Sequence, residues 1–261
     1  MRTGYLLSAF DMVDVGDVDV VRQVAESVDR VEARVLSDEA VFGVTGRRPV
    51  IPAQERLEIV GSLREVSDAA IYDPSRRLKA DERDIAYGRQ DVGVGNAQVD
   101  RWLRPRANPQ TAERLGQASA LATHDGILGY VPGAWDMFHI GHLNILKRAR
   151  QHCTRLVVGV VTDEALFRAK GKYPIVPLAE RMQVVAAMDI VDAVVVDFST
   201  SKLEVWDRVH FDVLFKGDDW RGTSKGDLLE SEMSEVGASV HYFPYTAHTS
   251  STALRQILAA R

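Results

Sequence analysis

Residues Gly129–His142, GYVPGAWDMFHIGH, decide how the rest of the chain is read. The stretch opens on a short apolar run, passes through a Gly-containing loop and ends at His139-Ile140-Gly141-His142, just before the helical periodicity of Leu143–Ala149. Strand, glycine loop and helix in that order form the start of a parallel crossover unit. The same pattern occurs once before. Gly4–Asp17 reads GYLLSAFDMVDVGD, and six of its fourteen positions are identical to the later stretch at an offset of 125 residues. The same offset aligns Ser37–Arg56 with Thr162–Arg181, where nine of twenty positions match; composition alone would give roughly one match in fifteen. With a one-residue gap, Val66–Asp73 falls on Ile190–Asp197. Weaker pairings follow: RDIAYGRQD from Arg83 answers FDVLFKGDD from Phe211, and RANPQTAER from Arg106 answers AHTSSTALR from Ala247.

The chain therefore reads as two copies of one unit, each far longer than a solenoid repeat and of ordinary domain size. The expected boundaries are 1–118 for the first domain, 119–126 for a linker and 127–261 for the second. The linker region is polar and rich in small residues, with Gly126 inside it. In the second copy, strands are expected over Ile127–Val131, Arg155–Val161, Ala193–Val196, Val213–Lys216 and Val240–Phe243. The run RLVVGVV at 155–161 has the unbroken β-branched character of a strand buried on both faces. Helices are expected over Pro177–Met188, with proline near the first turn, and over Ser251–Ala260. Alternating strands and helices predict an α/β chain of two tandem Rossmann-like, doubly wound parallel sheets, with ligands at the carboxyl ends of the strands.

Composition narrows the class. The 261 residues are 46% apolar and 26% charged, a balance that folds rather than staying disordered. Lys and Arg number 32 against 37 Asp and Glu, for a net charge of −5, which argues against a nucleic-acid partner held by bulk charge. No stretch nears eighteen apolar residues, and Asp11 and Asp14 interrupt the first apolar run, so neither a membrane span nor a signal peptide is expected. Cys153 is the lone cysteine, which excludes an intrachain disulfide and argues against a Cys-based metal site. A cytoplasmic protein is the expectation.

Four clusters in the second copy carry chemistry. Gly141 lets backbone approach a ligand, the helix start offers unpaired N–H groups and a positive dipole end, and His139 and His142 can donate to phosphoryl oxygens. Lys170 and Lys172, in a loop before Pro174, could neutralise a triphosphate; alone they would read as a solvated basic loop. Gly217-Asp218-Asp219-Trp220 follows a strand, where a carboxylate can accept from a base's exocyclic amine and an indole can wall a pocket; alone it would read as a turn. Thr249-Ser250-Ser251-Thr252 precedes the last helix and can cap it or hold phosphate.

Together these residues resemble the nucleotidyltransferases of the HxGH superfamily, and among them the cytidylyltransferase branch typified by glycerol-3-phosphate cytidylyltransferase. The segments that carry the resemblance are GAWDMFHIGH, TDEALFRAKGK, the ER of LAERM, VLFKGDDW and YTAHTSST, within about residues 127–258. The resemblance implies that CTP and a small alcohol phosphate give a CDP-alcohol and diphosphate. It makes His139, His142, Lys170 and Lys172 catalytic. It assigns Gly133, Ala134, Asp136, Gly141, Gly217, Asp219, Trp220, Thr246, Ser250, Ser251 and Thr252 to the nucleotide and Lys202 to the acceptor phosphate. It implies Mg²⁺ carried by the nucleotide phosphates, with no metal ligand from the protein. Phosphoethanolamine and phosphocholine enzymes are close relatives. The segment KGKYPIVPLAER (170–181) is also similar to sugar-phosphate adenylyltransferases, and a non-catalytic nucleotide-binding regulator is the reading from another class.

Departures from the pattern lie at Tyr245 and His248, where the family signature has Arg and Gly, and in Asp189–Val194, where an Arg is missing. Arg255 and His248 are the available replacements. The first copy departs further. His139 and His142 are answered by Asp14 and Asp17, Lys170 by Thr45, and GDDW has no counterpart. Two carboxylates would repel a phosphate, so that copy is expected to be inactive and to serve an intrachain pseudo-dimer, with a homodimer of the whole chain also open. A metal on the aspartate pair is the alternative.

Overall fold

The computed structural model describes residues 1–73, 78, 82–90, 99–106, 126–199, 201–244 and 249–260. The expected linker, apart from Gly126, lies outside the described residues. Contacts divide the chain into two compact units, Met1–Pro109 with Ala187–Asp189 and Thr249–Arg261, and Gln110–Ala186 with Ile190–His248.

The first unit runs β1 (Thr3–Ser8), α1 (Val15–Ala25), β2 (Arg30–Val35), α2 (Asp38–Thr45), α3 (Ala53–Val60), β3 (Asp68–Ile71), β4 (Ile85–Arg89) and β5 (Arg101–Leu103). Its five strands are parallel, in the order β3-β2-β1-β4-β5. The second runs β6 (Leu128–Gly133), α4 (Ile140–Arg150), β7 (Arg155–Val161), α5 (Asp163–Lys170), α6 (Leu178–Ala186), β8 (Ala193–Asp197), α7 (Lys202–Val209), β9 (Val213–Gly217), a 3₁₀ turn (Asp218–Trp220), α8 (Ser224–Glu235) and β10 (Ser239–Phe243). Its sheet is also all parallel, in the order β10-β9-β6-β7-β8. Helix α9 (Ser251–Ala259) is grouped with the first unit. The chain is thus α/β with two parallel five-stranded sheets. No helix among the described residues is long and apolar enough to cross a membrane.

Both sheets place the first strand in the centre, and the order in which strands are added switches sides there, so each has its crevice next to that strand's carboxyl end. Local chemistry explains the elements. β7 is buried along five of its seven residues because helices cover both faces. Helix α5 starts where the Thr162 hydroxyl accepts from Ala165 N and stops at Gly171, which takes a left-handed φ of 67°. Helix α2 uses Ser37 and Gly46 (φ 69°) for the same tasks. In the second unit Tyr130 stacks on Phe211 at 4.8 Å, beside Leu128, Val157, Leu214 and Met233.

Two buried arginines hold corresponding corners. Arg56 donates to Ile51 O (2.8 Å), Asp38 (2.7 Å) and Ala9 O; Arg181 donates to Val176 O (2.9 Å), Asp163 and Ala134 O. Each guanidinium is fully buried, and such burial is tolerable only because its donors are matched by carbonyls and a carboxylate. Asp11 accepts from Val50 N and Ile51 N as Asp136 accepts from Ile175 N and Val176 N. Every one of these pairs is 125 residues apart.

Candidate functional site

The site in the second unit grows from the end of β6. Chain direction changes sharply there: Trp135 and Met137 both sit at positive φ, 56° and 52°. Such backbone is strained for residues with a side chain and persists only where the surroundings hold it. Trp135 is buried and its indole N–H donates to Gly159 O at 2.8 Å, which supplies that hold. Gly133 makes room for it, since a Cβ there would lie 2.7 Å from the indole. Arg181 and Asp136 fasten the same loop, Arg181 through Ala134 O and Asp136 by tying it to Ile175 and Val176, just beyond Lys172.

The loop delivers His139 as the N-cap of α4. Its Nδ1 accepts from Gly141 N at 3.1 Å, so the imidazole occupies a helix start. His142, one turn on, stacks on it with ring centroids 3.8 Å apart. Trp135 presses edge-on against His142 at 5.2 Å and Phe138 lies at 5.6 Å. Burial lowers the His139 pKa to about 4. Burial lowers that of His142 well below the ordinary imidazole value, helped by the charges of His139 and Lys170. Both rings are therefore neutral at pH 7. His142 Nδ1 is buried with no hydrogen-bond partner among the described residues.

Lys170 closes α5 and is exposed, as is Lys172 beyond Gly171. Across the crevice, β9 ends at Gly217 and turns through Asp218–Trp220, leaving Asp219 exposed and Trp220 partly buried. Lys216 Nζ lies 4.0 Å from the centre of the Trp220 ring. Lys202 opens α7 and donates to both oxygens of the fully buried Asp197 (2.9 and 2.7 Å) and to Ser199 O (3.0 Å). Asp197 also accepts from the Tyr130 hydroxyl at 3.0 Å.

His139, His142, Gly133, Ala134, Asp136 and Gly141 thus cluster around one loop, with Lys170 close enough to act on His142. Lys202, Gly217, Asp219 and Trp220 lie at the ends of β8 and β9. Ser250 caps α9 by accepting from Ala253 N (3.2 Å), and Ser251 and Thr252 begin that helix, which belongs to the first unit. Thr246, Tyr245 and His248 lie outside the described residues. Sequence reasoning missed Trp135, Lys216 and Asp197. Lys216 had a signal, a lone charge at the end of the apolar run Val213–Phe215; the Asp197–Lys202 pairing had none.

The first unit places Asp14 at the cap of α1, accepting from Asp17 N at 2.9 Å, while the Asp17 carboxylate accepts from Asp14 N. Arg89, the last residue of β4, pairs with Asp14 (2.9 Å) and Asp17 (2.8 Å). A Cβ on Gly16 would lie 2.7 Å from that guanidinium. Strand register pairs Ile85 with Gly4 as it pairs Val213 with Gly129, so Arg89 stands where the second unit has Gly217.

The second unit is thus a parallel sheet whose central strand feeds a histidine-capped helix beside a lysine loop. Residues 130–257, just under half of the chain, match the sequence profile of the cytidylyltransferase-like family. The chain is 33% identical over 130 residues to the bifunctional protein HldE of Hyphomonas neptunium, covering 49% of this chain and 26% of that protein. It is 41% identical over 95 residues to the ethanolamine-phosphate cytidylyltransferase of Arabidopsis thaliana, covering 34% and 22%. The chain spans about a quarter of the length of such curated relatives. Among solved structures, a lipopolysaccharide core biosynthesis protein from Thermoplasma volcanium superposes with a TM-score of 0.42 at 23% identity, covering 48% of this chain and all of that one.

Proposed function

We propose that the second domain transfers CMP from CTP to a small alcohol phosphate of the glycerol 3-phosphate kind, releasing diphosphate. The observation that carries this is the stacked, neutral His139–His142 pair with an unsatisfied buried nitrogen at the head of α4. A buried polar atom without a partner costs roughly 1–3 kcal/mol, and a phosphate oxygen would relieve it. An oxygen of the acceptor phosphate attacks the α-phosphorus in line. The new P–O bond forms as the bond to the β-phosphate oxygen breaks, and diphosphate leaves with the electron pair. The protein positions the groups and stabilises charge, with no covalent intermediate. His139, His142 and the N–H groups of α4 hold the α-phosphate region, while Lys170 and Lys172 hold the leaving diphosphate. Gly133, Ala134 and Asp136 shape the nucleotide loop, and Asp219 and Trp220 receive the base and ribose.

The donors around the histidines are imidazoles and ammonium groups, which suit phosphate rather than a hard cation; Mg²⁺ carried by the nucleotide's own phosphates would supply charge screening there. The name of the Arabidopsis relative supports CTP and a phosphorylated alcohol. A second reading, a sugar phosphate with ATP or CTP, rests on the Lys170–Arg181 segment.

The two domains descend from one duplicated unit, and the first is inactive in this reading. Its would-be anion site holds Arg89 against Asp14 and Asp17, so it presents carboxylates and a guanidinium already paired to them. Its part in this reading is to complete an intrachain pseudo-dimer, which a monomeric mass in sedimentation would support and a stable homodimer would complicate.

The deciding experiment is diphosphate release with each nucleoside triphosphate against glycerol 3-phosphate, phosphoethanolamine, phosphocholine and sugar phosphates. Release with CTP and one alcohol phosphate is expected. Release only with a sugar phosphate selects the second reading, and nucleotide binding without release with any pair selects a regulator.

A further inference from the structure

Two lysines approach the crevice from the β9 side, and their surroundings differ. Lys202 has three ammonium donors and three acceptors already in place, two on Asp197 and one on Ser199. It has nothing left to offer a substrate. Lys216 lies on the face of β9 that carries Leu214, one residue before Gly217 at the strand's carboxyl end. Its ammonium rests on the Trp220 ring and makes no hydrogen bond or ion pair with a described residue. Burial, and then the charge of Lys202, lower its pKa to about 8 against the pull of Asp219 and Asp197. Lys216 is partly buried, and a cation held over an indole at the end of a strand, with no acceptor among the described residues, is available to an anion from outside. Lys170 acts on both Lys216 and His142, so the three share one electrostatic neighbourhood. The inactive copy makes the contrast: register places Gly88 where the second copy has Lys216, and the Trp102 ring occupies the space a side chain would need.

We propose that Lys216, on the opposite side of the crevice from His139 and His142, binds the phosphate of the acceptor substrate. This rests on the transferase reading above. The histidines and the Lys170–Lys172 loop surround the donor's phosphates from the β6 side. An in-line attack needs the nucleophilic phosphate on the other side of the α-phosphorus, which is the β9 side. Lys202 then acts as a positioning residue that keeps Asp197 neutralised beneath it.

The test uses the full chain as wild type, Lys216→Met, Lys216→Arg and, as a surface control, Lys225→Met. Three quantities are measured: calorimetric affinity for inorganic phosphate and for CTP, the KM for glycerol 3-phosphate in diphosphate release, and the melting temperature without ligand. In Lys216→Met, phosphate affinity is expected to fall and KM to rise by roughly ten- to a hundredfold, the worth of a charge-assisted hydrogen bond or two. CTP affinity should fall by less than phosphate affinity does, because the lysine reaches the nucleotide only through its contact with the Trp220 ring. The ligand-free melting temperature should rise, because a desolvated charge without a partner has been removed. Lys216→Arg should recover part of the phosphate affinity. Unchanged phosphate affinity in Lys216→Met, wild type that binds no phosphate, or a loss confined to CTP would each overturn the assignment. So would a lowered melting temperature with binding intact, which would make Lys216 a support for Trp220. Failure of the transferase reading shows separately, as wild type that binds phosphate and CTP yet releases no diphosphate with any acceptor.

Discussion

The imidazoles of His139 and His142 stack 3.8 Å apart and 23° from parallel, and burial keeps both neutral at pH 7. His142→Ala should lower diphosphate release by roughly a hundred- to a thousandfold, as removal of an oxyanion donor does. Full activity in that variant would remove the site from consideration.

The same pair makes stability depend on pH in a stated direction. A histidine whose folded pKa is depressed takes up a proton in the unfolded chain first. Stability from keeping His139 neutral is fully present above about pH 6.5 and is lost as pH falls toward about 4. In His139→Asn, the melting temperature should therefore fall less steeply over that window than in wild type. Parallel curves would contradict the burial of this ring as the cause.

Asp17 works in the opposite sense. Burial and the neighbouring Asp14 raise its pKa to about 6, despite Arg89. The stability gained by holding it protonated is present below about pH 4 and lost as pH rises through about 6. Relative to wild type, Asp17→Asn should become more stable between pH 4 and pH 7, by a change on the order of 2 kcal/mol in chemical denaturation. A difference that does not vary with pH would count against it.

Lys202→Met leaves Asp197 buried with, among the described residues, only the Tyr130 hydroxyl as a side-chain donor. Breaking one side of a buried ion pair costs about 3 kcal/mol, so the midpoint in urea should drop markedly. The double variant Lys202→Met, Asp197→Leu should recover much of the loss. If Lys202→Met is as stable as wild type, the pairing is not what holds this corner.

Asp136→Ala frees the backbone N–H groups of Ile175 and Val176, a loss of roughly 1–3 kcal/mol. Because these bonds tether the segment that carries Lys172, the KM for CTP should rise as well. Proteolysis should cut within 170–176 faster than in wild type. Unaltered proteolysis would show that Arg181 alone secures the loop.

Much of the architecture could be read before any coordinates. β7 is found at the residues expected from RLVVGVV, and β9 and β10 within one residue of expectation. β6 runs two residues past the expected Val131, because parallel pairing with β7 continues through Pro132 and Gly133. Proline contributes its carbonyl to the ladder and lacks only the donor. Helix α6 stops at Ala186, two residues before the expected Met188. The histidines and their loop were legible because a glycine beside two imidazoles at a strand–helix junction has few other uses.

What the amino-acid order determined by itself was periodic or local: β-branched runs, caps such as Thr162 with Gly171, and the 125-residue echo that pairs Arg56 with Arg181. These depend on neighbours a few residues away, or on comparing the chain with itself. Only the tertiary structure decided which charges meet. It neutralised Lys202 on Asp197, left Lys216 on an indole with no ion pair among the described residues, and set Arg89 between Asp14 and Asp17. A lysine looks the same in sequence whether paired or bare. Its protonation and its availability to a phosphate depend on desolvation and on charges brought within a few ångströms by folding.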